Sequence, residues 1–117
     1  MVDRAKGATT AHYSNVIPAT ALAALIAYVE KGEAPGGFLD SVLKNNLLGA
    51  VMRANPPSLA AIKEILWVLH NEAPSPCWGS PREVDAWLAM DAAERTKLVD
   101  GNVVWLEFKD RIKEEGA

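Results

Sequence analysis

The chain of 117 residues has one cysteine, two histidines, no run of basic residues and no long apolar stretch. A lone Cys77 excludes an internal disulfide and a thiolate-rich structural zinc site, and it suits a reducing compartment. His12 and His70 lie far apart, and no HExxH or paired acidic pattern accompanies them. No metal and no cofactor is therefore expected. Twelve Lys and Arg are scattered among fifteen Asp and Glu, for a net charge of -3. Without a basic stripe to neutralise several phosphates, general nucleic-acid binding is disfavoured. The most apolar stretch, residues 19–29, is far shorter than the ~20 residues that cross a bilayer. The opening MVDRAKGATTAHYSN has no apolar core for a secretion signal. A soluble, intracellular protein is the expectation.

What is present is the composition of a folded globule, half hydrophobic and 23% charged. Residues 1–16 are small, polar and without period, and read as a flexible arm. Residues 17–117 read as one helical domain. Pro18 suits a first helical position, and Leu22, Leu25, Ile26 and Val29 follow at i, i+3, i+4 and i+7 up to Gly32. After the loop GEAPGGF, Phe38, Leu39, Val42 and Leu43 form a short face. Asn45 and Asn46 are placed to end that helix and cap the next, in which Leu47, Leu48, Val51 and Met52 keep helical spacing. Gly49 among them allows close approach of another helix or a bend.

Asn55 or Ser58 caps the most strongly patterned helix, whose stripe is Leu59, Ile62, Ile65, Leu66 and Leu69. Ser80, Pro81 and Glu83 form a helix start with a capping serine, proline at the first position and glutamate at the third. Asp91 with Glu94 repeats that signal ahead of a helix ending near Gly101. A last helix carries Val104, Trp105, Leu106, Phe108 and Ile112, although NVVWLEF is also β-prone. The fold class expected is all-α, a compact bundle of about six short to medium helices.

Between two of these helices lies NEAPSPCWGSP, residues 71–81, with three prolines, a glycine, the only cysteine and a tryptophan. Cys77 with His70 or His12 as base suggests a nucleophile, but no third group to orient the base is evident. A lone cysteine is usually an inert small hydrophobe, here beneath Trp78. Trp78 itself is held in a turn, outside any helical stripe. It is either an aromatic platform for a planar ligand, oriented by Asn71, Glu72, Ser80 and Arg82, or a plug over the helix ends. Lys44 and Asn46, with Tyr28 and Arg53, are the candidates to join it from neighbouring helices. APGGF can place glycines at a helix start where anions bind, but it lacks the lysine of a triphosphate loop and reads as a simple turn.

Two blocks carry a resemblance. IPATALAALIAYVEKGEAPGGFLDSVLKNNLLGAVMRA and ILWVLHNEAPSPCWGSPREVDAWL resemble a family of short bacteriophage and prophage proteins with an Asn-Glu-Ala-Pro-x-x-Cys-Trp-Gly-Ser-Pro turn, over about residues 17–88. The family brings no activity to carry over. The resemblance implies a phage-type accessory protein, a binder or an inhibitor of host machinery rather than a catalyst, placed in the host-cell cytosol.

The expected function is therefore non-enzymatic binding, in host takeover or inhibition of a bacterial defence. The expected partner is a small nucleotide-like ligand or a host protein. Four tryptophans, Met52 and an apolar helix around Gly49 exceed what one small core readily hides, so a homo-oligomer is also expected. Two other classes compete: a small enzyme using Cys77 or Glu72, and a DNA-binding regulator. The helix after Ser80 offers only Arg82 for base readout.

Overall fold

The computed structural model describes residues 16–116, with side chains as far as residue 114. Of the expected N-terminal arm, residues 1–15 lie outside the described residues, while Val16 is already helical. Eight helices are described: α1 Ala19–Lys31, α2 Gly37–Leu43, α3 Leu47–Arg53, α4 Pro56–Ala60, α5 Ile62–Asn71, α6 Pro81–Ala89, α7 Ala92–Asp100 and α8 Val103–Gly116. A single 3-10 turn, Ser75–Cys77, joins α5 to α6. The fold is all-α, and there is no strand among the described residues. In NVVWLEF, Asn102 precedes α8 and the remaining residues are helical within it, with Trp105 and Phe108 reaching the core on one face.

The boundaries follow local capping chemistry. Asn45 takes a left-handed φ of 62° at the end of α2, and the Asn46 side chain then accepts from the Gly49 amide at 3.0 Å to open α3. Asn55 accepts from the Ser58 amide at the start of α4, and Ser80 from the Glu83 amide at the start of α6. Asp91 and Asn102 cap α7 and α8 in the same way. Gly32 ends α1 with φ 67°, and its amide donates to the Tyr28 carbonyl.

One helix expected from the pattern is two in the structure. The chain turns at the buried Ala61, with φ -98° and ψ 2°, and its amide donates to the Ser58 carbonyl three residues back. This tight closure shifts the helical phase, so Ile65 and Leu69 are buried while Leu59 points to solvent. A break there has no glycine or proline to announce it. Gly49 sits where α2 and α3 pack together, and a Cβ there would lie 2.8 Å from Ser41 Oγ and 2.8 Å from an Arg53 guanidinium nitrogen. Its role is to let Arg53 reach Ser41.

A single core runs from Ile17 to Phe108, centred on Tyr28, Trp87, Trp105 and Phe108. The Trp87 indole donates to the carbonyls of Tyr28 and Val29, and the Trp105 indole to the Glu30 carboxylate. Lys109 also pairs with Glu30. Each buried indole N–H thus has an acceptor, which makes two large aromatics tolerable inside a small core. No helix among the described residues is long and apolar enough to cross a membrane.

Candidate functional site

Residues 71–82 wrap the end of α5 onto the core and deliver the chain to α6. Pro74 and Pro76 restrict the backbone, and the Cys77 amide closes the 3-10 turn on the Pro74 carbonyl at 3.1 Å. The inner side of this turn is dry. Glu72, Ala73, Pro74 and Cys77 are buried, while Ser75 and Pro76 face solvent.

The underside is held by two contacts from distant helices. The Tyr28 hydroxyl donates to the Cys77 carbonyl at 2.6 Å, and Arg111 of α8 donates to Glu72 Oε2 at 2.8 Å. Burial pushes the Cys77 thiol up to about 12, so at neutral pH it is a protonated, enclosed thiol and a poor nucleophile. Burial likewise raises the Tyr28 hydroxyl well above its ordinary 10.0. His70, the base considered for Cys77, is exposed on α5, and His12 lies outside the described residues.

The outer residues are engaged as well. Asn71 donates to the Trp67 carbonyl at 3.1 Å, and the Ser80 hydroxyl accepts from the Glu83 amide while donating to the Glu83 carboxylate. Trp78 is half-buried and packs against the core cluster, in an extended backbone that leads to Gly79 at φ 126°. The Gly79 amide donates to the Leu43 carbonyl at 2.8 Å. That bond places Trp78 and Ser80 beside the C-terminal end of α2, next to Lys44, which forms an i,i+4 ion pair with Asp40 at 3.0 Å. Arg82 is exposed on the first turn of α6. Asn46 lies farther along the same corner, where its side chain caps α3.

A small groove opens at this corner, with a volume of about 40 Å³ and an apolar lining of Val42, Leu47, Ala50, Ile62 and Leu66 beside Asn45 and Asn46. Next to it α3 turns large apolar side chains outward: Leu47 is 71% exposed, Leu48 74%, Val51 41% and Met52 74%, with Leu59 of α4 at 48%. At 100° per residue, positions 47, 51, 48 and 52 span about 140° of the helix. The opposite side of α3 carries Gly49, the buried Ala50 and Arg53, which donates to Ser41 Oγ at 3.0 Å. An apolar stripe of this width on a helix is ordinarily packed against a neighbour. The signal was in the sequence, since LLGAVM contains no polar residue.

Two arginines that hold the fold together, the buried Arg95 and the partly exposed Arg111, gave no comparable signal. Arg95 of α7, 4% exposed, donates to the carbonyls of Lys31, Trp87 and Met90 at 3.3, 2.9 and 2.6 Å, joining the C-terminal ends of α1 and α6. Its charge compensates the negative ends of two helix dipoles. Arg111 reaches Glu72 from the flank of α8. Among the described residues, no group of three His, Cys, Asp or Glu side chains is placed to hold a metal ion. No family model, curated protein or solved structure matches this chain.

Proposed function

We propose that this chain is a non-enzymatic binding protein, a phage-type accessory factor that acts in the bacterial cytosol during host takeover or against a host defence. Its working surface is the apolar face of α3 and the adjoining groove. The observation that carries this reading is the exposure of Leu47, Leu48, Val51 and Met52 along one side of a single short helix. These four residues with Leu59 form a patch on the order of 500 Å², within the range of the largest apolar patch on a monomer, which is often functional.

Binding is favoured over catalysis because the groups with chemical potential serve the fold. The Cys77 thiol is enclosed, Glu72 is ion-paired with Arg111, and Ser80 caps a helix. The same commitments weigh against a nucleotide-like ligand on the turn: Asn71, Ser80, Lys44 and Asn46 each hold an intramolecular partner. A protein surface is the better fit to an apolar ridge and groove.

The test is expression in bacteria carrying a panel of defence systems, followed by phage challenge and growth measurement. Wild type is expected to raise plating efficiency or slow growth, and Leu48→Glu/Met52→Glu to lose that effect while keeping its helical circular dichroism. Wild type that alters neither would overturn the reading. A melting shift with a nucleotide, abolished by Trp78→Ala in a protein that stays folded, would move the function to the turn.

A further inference from the structure

We infer that the cleft between the C-terminal ends of α1 and α7 and the flank of α8 is a binding site for a small zwitterion of the α-amino-acid class. It shares no residue with the α3 face or the 71–82 turn and stands independently of the function proposed for α3. The cleft has a volume of about 290 Å³, against about 40 Å³ for the groove beside α3, and so approaches the lower end of the range for small-ligand pockets. Thr96, Val99 and Asp100 stand at i, i+3 and i+4 on α7, and Leu106 and Lys109 at i and i+3 on α8, so each helix turns one face to it. The buried Val99 and its neighbour Leu106 supply the apolar part of the lining.

The charges of the lining select the class of ligand. Glu30, Lys31, Asp100 and Lys109 bring two carboxylates and two ammonium groups. A simple anion or cation meets as many like charges as opposite ones, whereas a molecule carrying both signs can match them. One pair within the set is already made: Lys109 binds Glu30, and the Trp105 indole donates to the same carboxylate oxygen at 3.1 Å. One group of each sign is left. Among the described residues neither the Lys31 ammonium nor the Asp100 carboxylate has a hydrogen-bond or ion-pair partner, although both line the same cleft. A zwitterion bridges them, its carboxylate on Lys31 and its ammonium on Asp100, with the Thr96 hydroxyl alongside. Asp100 is the last residue of α7, where the negative end of the helix dipole adds to its hold on an ammonium group. At the end of α1 the Arg95 guanidinium, on the Lys31 carbonyl at 3.3 Å, offsets that dipole and preserves the pull of Lys31 on a carboxylate. The side chain of the ligand then lies on Val99 and Leu106, which favours an aliphatic amino acid.

Isothermal titration calorimetry and amide NMR of the full chain with L-leucine test the site. Wild type is expected to bind with Kd on the order of 100 µM, with amide shifts on residues 30–31 and 96–109 and none on α3. 3-Methylbutylamine and 4-methylpentanoate keep the aliphatic group and one charge each, and both are expected to bind at least ~10-fold more weakly. Lys31→Met and Asp100→Asn each remove one charge from an exposed side chain, so both variants keep the fold by circular dichroism. Each is expected to weaken L-leucine at least ~10-fold. Lys31→Met should leave the binding of 3-methylbutylamine unchanged, which a general loss of structure would not do. Absence of binding by L-leucine, L-valine and L-methionine at millimolar concentration overturns the site. So do binding indifferent to both substitutions, shifts confined to α3, and inorganic phosphate binding here in place of the amino acid.

Discussion

Tyr28 and Cys77, 49 residues apart in the chain, are joined by a 2.6 Å hydrogen bond from the Tyr28 hydroxyl to the Cys77 carbonyl. Both residues are fully buried, so this bond ties α1 to the turn before α6 where water cannot substitute. Tyr28→Phe keeps the ring and removes the donor, leaving a buried carbonyl unpaired. The expected loss is about 1–3 kcal/mol in urea denaturation. An unchanged midpoint would mean that the carbonyl finds another donor.

The enclosed thiol makes stability fall at alkaline pH. Cys77 ionises near its ordinary 9.0 in the unfolded chain but only at about 12 in the folded one. Below pH 9 both states hold the proton and nothing is lost. Between pH 9 and about 12 the unfolded state sheds its proton first, so unfolding becomes easier as pH rises. Cys77→Ser or Cys77→Ala is expected to flatten the alkaline decline in Tm. At pH 8 an aromatic disulfide reagent should label wild type only at the rate of opening, and immediate labelling of folded protein would contradict the burial.

Gly32 and Arg95 form one unit. A Cβ at Gly32 would lie 2.4 Å from Arg95 Cζ, in a backbone with φ 67° that resists any side chain. Gly32→Ala should therefore displace the guanidinium from its carbonyls and cost at least about 2 kcal/mol by chemical denaturation. Arg95→Met is expected to cost a similar amount, and the double variant much less than the two together, because either change removes the same clamp. Full additivity would show the two residues to be independent.

Glu72→Gln tests the link between the turn and α8. Glu72 is 1% exposed while the Arg111 side chain is 34% exposed, so solvent weakens the pair from one side. A cost of about 1–2 kcal/mol is expected, with a coupling to Arg111→Met of about 1 kcal/mol. The fold should persist. Loss of a catalytic turnover in Glu72→Gln with no loss of stability would instead restore the enzyme reading of this carboxylate.

The sequence by itself determined where most helices begin and end. Asn46, Ser80 and Asp91 cap the helices their positions announced, Asn55 caps only the short α4 ahead of the patterned α5, and Gly32 closes α1, because each cap is satisfied within a few residues of chain. The turn at residues 71–81 was legible as stiff, and its proline spacing explains that. Tertiary structure decided what the turn rests on, since Tyr28, Arg111 and Leu43 reach it from 30 or more residues away. It also decided the phase break at Ala61, the burial of Arg95 and the outward face of Leu47, Leu48, Val51 and Met52. Helical periodicity specifies which residues share a face, but only the packing of neighbouring helices selects which face is covered.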